Sequence, residues 1–481
     1  MRSAETIPRR DPRPPRRSAA RLAPGLLVLL GLLGCARQDY RFLRPDREPE
    51  PIAIASRLEV PGEVEAGVGR LESIPVLRLK GDAYTRGFQY GRAMAPQWRE
   101  AVEGLEAAAE REISGAVGFD FLAAWIYRAA MNSVFNEVDD LTDPVGSRRR
   151  LPYRDRAWIQ GIADGAGLET AQLTRLIATV MVSDASCCGF IAFGPATPDG
   201  RLIQLRNLDW GDDLMRPQRA TVVLIHEPDE GLRYLSIGFV GLIGTISGIN
   251  EAGISLSEVG SESSDKTRRG RPMPLMLEEV LAKAQTLDQA VRVMETSPGS
   301  GGYNFLIGAA RQRAGAVVEK TATRMAVFRI GPERHYAENP DFADFVGFDC
   351  RADTAADPAI RKVQLCSNGD PTAKVTPSPR GSRAWRERYR RQVDLFERFG
   401  GRITRARAEA IALETAPVDN LHSIIYDFER GEVLLRNKAW ALAEDPSDEL
   451  RERLRAAARP PVVIKLREAF PGIVLPDRGP E

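Results

Sequence analysis

The stretch over residues 183–213, S-D-A-S-C-C-G-F-I-A-F-G-P-A-T-P-D-G-R-L-I-Q-L-R-N-L-D-W-G-D-D, constrains the fold more than any other part of the chain. A polar lead-in ends at Ser186, two cysteines follow, and an apolar run stops at Pro198-Asp199-Gly200 before resuming over 201–208. Turn residues between two short apolar runs predict a β-hairpin. Cys187 then opens the first strand, while Arg206, Asn207 and Asp209 close the second. Folding the hairpin brings its open ends together, so one supersecondary unit faces a thiol with an arginine and a carboxylate.

Around this hairpin the hydrophobic period divides the chain. A strand over 74–81 leads into D-A-Y-T-R-G-F-Q-Y-G-R at 82–92, where small and aromatic residues at helical spacing read as core packing. Helical periodicity continues over 94–113, 119–135, 154–165 and 170–182. After the hairpin the period falls to 2, giving strands over 220–226, 234–239, 244–249 and 253–259. The last two are joined by Gly248-Ile249-Asn250-Glu251-Ala252-Gly253, in which glycine permits a tight backbone and asparagine tolerates the left-handed region. Turn chemistry alone therefore makes Asn250 structural. Helices over 274–284 and 287–296 follow, then strands over 303–309, 314–319, 325–329 and 334–337. Helices over 383–399 and 404–414 and strands over 421–427 and 432–435 complete the pattern.

Composition excludes several functions. Lys plus Arg number 67 against 66 for Asp plus Glu, so a net charge of +1 supplies no field to recruit nucleic acid. The 3 histidines and 5 cysteines contain no CxxC or HExxH, so neither a zinc site nor a cofactor is expected. The first 35 residues read as a targeting segment. Arg2, Arg9, Arg10, Arg13, Arg16, Arg17 and Arg21 precede an apolar core over 22–34 that is short for a membrane span. It ends Leu32-Leu33-Gly34-Cys35, which resembles a bacterial lipoprotein box, so Cys35 is expected to be lipidated and the rest exported and held at the membrane. Residues 36–70, rich in Arg, Pro and Glu, read as a flexible tether. In an oxidising compartment Cys187, Cys188, Cys350 and Cys366 allow three pairings. Cys350 with Cys366 is preferred because it closes a short loop and leaves the hairpin thiols free.

The motif quoted first carries a resemblance. Cys, an apolar strand, Gly194, Ala196-Thr197, an Asp-Gly turn and a second strand ending Arg-Asn-x-Asp resemble the start of the nucleophilic chain in N-terminal nucleophile (Ntn) hydrolases. The most similar branch is the penicillin acyl-transferase (isopenicillin N acyltransferase) family, with choloylglycine hydrolases and penicillin V acylases as cousins. Alignment on Gly194 and Ala196-Thr197 puts the family's nucleophile on Cys187, with Cys188 as the alternative. The resemblance implies an α+β fold, a four-layer αββα sandwich with a helical N-terminal segment. It divides the chain into a mainly helical segment over 71–186 and a nucleophilic chain over 187–481, parted by self-cleavage between Ser186 and Cys187. It also places Asn250 in an oxyanion hole, reversing the turn reading. Asn339, in Ala337-Glu338-Asn339-Pro340, is the second oxyanion or orienting candidate, although Glu338 departs from the family's usual Thr. Arg388, in Ser382-Arg383-Ala384-Trp385-Arg386-Glu387-Arg388-Tyr389, fits the family's Ser...Arg-Tyr helix start, against the alternative of a solvated basic face. The insertion over 341–374 fits a lid or a disulfide-held loop.

The implied chemistry suits these residue types. A cysteine thiol of reference pKa about 8.5 is little ionised at neutral pH, and a nearby arginine favours its thiolate. A chain-terminal Cys187 carries an α-amine that can take the thiol proton and return one to the leaving amine, without a histidine. Asp209 then holds the ammonium, Arg206 the thiolate, and Asn250 with Asn339 the oxyanion. The expected substrate is a small-molecule amide or acyl compound, cleaved or transferred through a thioester. The alternatives are a Cys-His hydrolase with His422 or His335 as base, and an inactive binding lipoprotein on the same scaffold. Acyl group, acceptor and oligomeric state are silent in the sequence.

Overall fold

The structure, a computed structural model, describes residues 40, 43–60, 69–70, 73–117, 120–138, 151–182, 186–194, 196–198, 200–210, 220–260, 265–323, 325–330, 388, 391–392, 394–396, 398–399, 402–441 and 447–473. Cys35, His335, Asn339, Cys350, Cys366, the expected strand over 334–337 and the expected lid over 341–374 lie outside them.

Two sheets dominate. The larger has nine strands in the order β1-β3-β6-β7-β8-β9-β10-β11-β12. These are β1 (Ser56–Leu58), β3 (Ile74–Gly81), β6 (Thr221–Pro228), β7 (Tyr234–Phe239), β8 (Ser247–Asn250), β9 (Ile254–Gly260), β10 (Tyr303–Ala309), β11 (Ala314–Lys320) and β12 (Met325–Ile330). The smaller has the order β16-β14-β13-β5-β4. It joins the hairpin strands β4 (Ser186–Gly194) and β5 (Gly200–Asp209) to β13 (Asn420–Asp427), β14 (Glu432–Asn437) and β16 (Val462–Lys465).

Strand alternation assembles the layers. On β3 and β6, Ile74, Val76, Val223 and Ile225 join the core between the sheets, whereas Leu77, Leu79, Val222 and Leu224 face a helical layer. That layer includes α1 (Ala83–Ala93), α2 (Ala95–Val117), α3 (Asp120–Val138), α4 (Tyr153–Ala166) and α5 (Thr170–Val182). Helices α6 (Met273–Lys283) and α7 (Leu287–Thr296) follow β9; a Cβ added to Gly248 would stand 2.5 Å from Leu281 on α6. Beyond the five-stranded sheet lie α8 (Arg405–Thr415), whose Ala412 carbonyl accepts from Asn207, and the helical residues of the 388–398 stretch, where Phe396 meets Phe190 edge-on. The expected αββα order is therefore present, and the fold is α+β.

Helices α1 and α4 show why the 82–92 motif needs glycine. A Cβ on Gly161 would stand 2.1 Å from the Tyr84 carbonyl oxygen, and one on Gly87 2.4 Å from that of Trp158. The two backbones touch, so small residues at helical spacing are a packing requirement. The N-cap is equally explicit, with the Asp82 side chain accepting from the Thr85 amide.

The flexible-tether expectation for 36–70 is corrected over its described part. Tyr40 and Leu43 are buried against Tyr84, Phe88 and Ala157, Arg44 pairs with Asp164, and β1 hydrogen-bonds antiparallel to β3. Gly69–Arg70 (β2) likewise pairs with Trp440–Ala441 (β15). Aromatic anchors in an Arg-, Pro- and Glu-rich background are enough to dock it. Among the described residues no helix is long and apolar enough to cross a membrane.

Candidate functional site

The hairpin forms as read, with Ser186 opposite Asp209, Cys187 opposite Leu208, Cys188 opposite Asn207 and Gly189 opposite Arg206. Directly opposed residues share a face and neighbours along a strand do not. The single thiol–arginine–carboxylate group expected from the sequence is thereby split in two.

On the face toward the nine-stranded sheet, Arg206 Nη2 donates to Cys187 Sγ at 3.3 Å. Arg206 is fully buried. Its Nε donates to the Glu258 carbonyl at 2.6 Å, its Nη1 to Ser247 Oγ at 2.8 Å, and its Nη2 also to the Glu258 carboxylate at 2.9 Å. The nearby Asp209 backbone amide also favours the thiolate. Burial nevertheless pushes the Cys187 thiol up to about 12, with Arg206 acting in the opposite sense. The expectation of a thiol lowered by arginine fails here because desolvation outweighs the guanidinium, whose charge is already balanced by Glu258.

On the helix-facing side, Arg388 Nη2 lies 2.9 Å from Cys188 Sγ and 2.6 Å from Asp209 Oδ2, and its Nε donates to the Thr415 carbonyl at 2.8 Å. Asn207 Nδ2 lies 3.6 Å from the same sulfur and Thr415 Oγ1 3.5 Å. Arg388 is thus an inward partner of this site and not a solvated face. The Asp209 carboxylate lies on the Cys188 side, and burial pushes it up to about 6 against Arg388 and Asn420. Both thiols are free, as expected, since their side chains leave β4 in opposite directions.

Asn250 does not reach the thiols. Its Nδ2 donates to the Leu281 and Ala284 carbonyls at 2.9 and 2.7 Å, and its Oδ1 accepts from Ala252 and Ile254. With every hydrogen engaged, it serves the turn, and the oxyanion assignment is corrected. His422 is also set aside as a base. Across strands it sits in the row Cys187, Leu208, His422, Asn437, so Leu208 intervenes. Its ring stacks on Phe239, its Nε2 engages Thr221, and burial holds it down at about 3. His226 sits on β6 against Arg86 and Ser236, with burial keeping it neutral.

One residue escaped the sequence reading. Asn304, 1% exposed on β10, leaves both Oδ1 and Nδ2 without a hydrogen-bond partner among the described residues. Its position follows from sheet packing. The Cβ site of Gly315, opposite Gly308, lies 3.1 Å from Ile191, and that of Gly189 lies 2.7 Å from Leu306. Residues 191 and 189 of β4 therefore overlie 308 and 306 of the paired strands, and Asn304 lies two residues further along β10 on the same face. A lone amide inside the apolar strand Tyr303–Ala309 was the available signal.

The thiol-bearing hairpin forms the edge of the five-stranded sheet in this αββα frame. Residues 196–338 match the family acyl-coenzyme A:6-aminopenicillanic acid acyl-transferase. The matched span includes Arg206, Asp209, Asn250 and Asn304 but opens after Cys187. The chain is 22% identical over 340 residues to protein dcd1B of Dictyostelium discoideum, covering 68% of this chain and 67% of that protein. It is 25% identical over 229 residues to protein dcd1A of the same organism, covering 45% of this chain and about half, 52%, of that one. Among solved structures, an N-acylethanolamine-hydrolyzing acid amidase ortholog of Caenorhabditis elegans overlaps with a TM-score of 0.34 at 15% identity, over 50% of this chain and 92% of the other. A conjugated bile acid hydrolase from Clostridium perfringens gives 0.32 at 13%, over 54% and 94%. Overlaps of this size transfer nothing to the present chain.

Proposed function

We propose that this protein is a self-processing Ntn amidohydrolase or acyltransferase that acts on a linear amide through a thioester at Cys187. The observation that carries the reading is the seat of the Cys187 sulfur, held by the Arg206 guanidinium at 3.3 Å. Among the described residues no histidine reaches it. In the uncut chain that sulfur stays protonated, so its activating base must be delivered at the site. The α-amine of Cys187 itself meets that need.

Self-cleavage supplies the amine. Attack of the thiol on the Ser186 carbonyl carbon breaks the Ser186–Cys187 C–N bond as the thiol proton passes to the leaving nitrogen, so the acyl group shifts from nitrogen to sulfur. Water then cleaves the thioester, releasing the Ser186 carboxylate and leaving a free Cys187 amine and thiol. Asp209, opposite Ser186, borders the bond that breaks. In turnover the amine takes the thiol proton, the sulfur attacks the substrate carbonyl, and Asn304 Nδ2 donates to the oxyanion. The amine returns its proton to the leaving nitrogen. Water or an acceptor amine then resolves the thioester.

The same reading includes export and attachment through a lipidated Cys35. Because Tyr40 is docked beside α1 and α4, five residues of chain hold that face within roughly 18 Å of the anchor. N-terminal sequencing and intact mass of the exported protein test the proposal. A fragment beginning at Cys187 supports it, whereas turnover by a chain with an intact Ser186–Cys187 link removes the amine mechanism. An uncut chain without amidase activity favours the binding lipoprotein. Incorporation of labelled palmitate that survives Cys35→Ser removes the anchor.

A further inference from the structure

We infer that Asn420 is a positioning residue that clamps the Asp209 carboxylate at the cleavage end of the hairpin. The inference rests on the reading above, in which that carboxylate receives the freed amine. Asn420 is fully buried, and its two Nδ2 hydrogens are shared among three acceptors: Asp209 Oδ1 at 2.9 Å, the Leu208 carbonyl at 3.1 Å and the His422 carbonyl at 2.9 Å. Its Oδ1 accepts from the Ala457 amide at 2.9 Å, which fixes the orientation of the side-chain amide.

The strand register explains why the amide reaches the carboxylate. Strand β13 pairs with β5 continuously from His422 to Asp427, but the register shifts between Asn420 and His422. An irregularity of this kind frees carbonyls from the ladder and re-aims a side chain. Here the Leu208 and His422 carbonyls and the Asp209 carboxylate converge on one amide. With Arg388 on Oδ2, each Asp209 oxygen has its own donor from a different element, an arrangement that opposes rotation of the carboxylate. The charged and titratable groups facing Asp209 are Arg388, Asp419 on the approach to β13, and the two thiols of β4.

The test compares full-length wild type with Asn420→Ala and Asn420→Ser, each also in an Asp209→Asn background. Self-cleavage is followed by intact mass, and turnover across pH with N-acyl aminomethylcoumarin amides. For Asn420→Ala, kcat should fall about 10- to 100-fold with KM changed less than about threefold, and the acid limb should move up by roughly one pH unit. Asn420→Ser, which keeps a donor, should recover part of both. A lower melting temperature with an unmoved acid limb and unchanged kcat overturns the inference and makes Asn420 purely structural. The same limb shift in the Asp209→Asn background overturns it as well. A wild type that neither cuts itself nor turns over any amide instead sinks the proposed function. In that case the pH dependence of the melting temperature still reports the clamp. Asn420→Ala must steepen the stability loss above pH 6 only where Asp209 is present, and failure to do so refutes it.

Discussion

Cys187 and Cys188 are chain neighbours with the same side chain, yet the pleat of β4 gives them opposite surroundings. Each sulfur is touched by an arginine that also binds a buried carboxylate, Arg206 with Glu258 on one face and Arg388 with Asp209 on the other. Burial raises both thiols. Charge balance is therefore shared, and what separates them is the remaining company. Cys187 lies beside the Asp209 amide and faces the sheet that carries Asn304, whose side chain has no hydrogen-bond partner among the described residues. Cys188 is enclosed by Asn207, Thr415 and the helices. A nucleophile needs donors still free to bind a developing oxyanion, and the Cys187 face has one.

The largest expected effect breaks this comparison outright. Cys187→Ala should abolish self-cleavage and lower turnover by about 10⁴-fold or more, as removal of a nucleophile does, while Cys188→Ala keeps both within about tenfold. Intact mass and the coumarin assay read both variants. The reverse pattern would move the nucleophile to the helix-facing side.

Stability should separate the two arginines next. The Arg206–Glu258 pair is 0% and 3% exposed, so Arg206→Met leaves a buried carboxylate uncompensated and should cost about 3–5 kcal/mol in urea unfolding. Arg388 is 14% exposed against fully buried Asp209, and water can partly replace it, so Arg388→Met should cost less. Equal losses would show that the two faces are equally dry. A somewhat smaller effect is expected for Asn304→Ala, which should reduce turnover about 100- to 1000-fold with little change in melting temperature, since no hydrogen bond to a described residue is lost. A large stability loss with normal turnover would instead make Asn304 a packing residue.

Much of this organisation was legible because it is periodic. Strands Tyr234–Phe239 and Tyr303–Ala309 and helix Leu287–Thr296 fall where period and turn chemistry put them. The hairpin was legible for the same reason. Its pairing register was not, and one residue of register decides which face Asp209 occupies. Asn250 misled because the residues that tolerate a left-handed turn are also those that donate hydrogen bonds. The short strands Ser56–Leu58 and Val462–Lys465 were missed because two or three alternations cannot be told from coil. Asn420 was read as lying just before a strand, since nothing local records that a carboxylate from β5 would come to lie beside it.

The smallest expected effect sharpens the comparison through pH. Burial raises the folded Asp209 carboxyl to about 6, with Arg388 pulling against it, whereas an unfolded aspartate titrates near about 3.9. The folded state therefore holds the proton more tightly. This group's stabilising contribution is fully present below about pH 4 and is lost as pH rises through about 6, the reverse of an aspartate lowered by an ion pair. Glu258 is raised in the same direction by its own burial, so it adds a slope of the same sign from the other face. Asp209→Asn should flatten the fall in melting temperature between about pH 4 and 6 and leave the part due to Glu258. If Asp209→Asn instead steepens that fall, the Arg388 pair outweighs desolvation, and the helix-facing site is the more strongly ion-paired of the two.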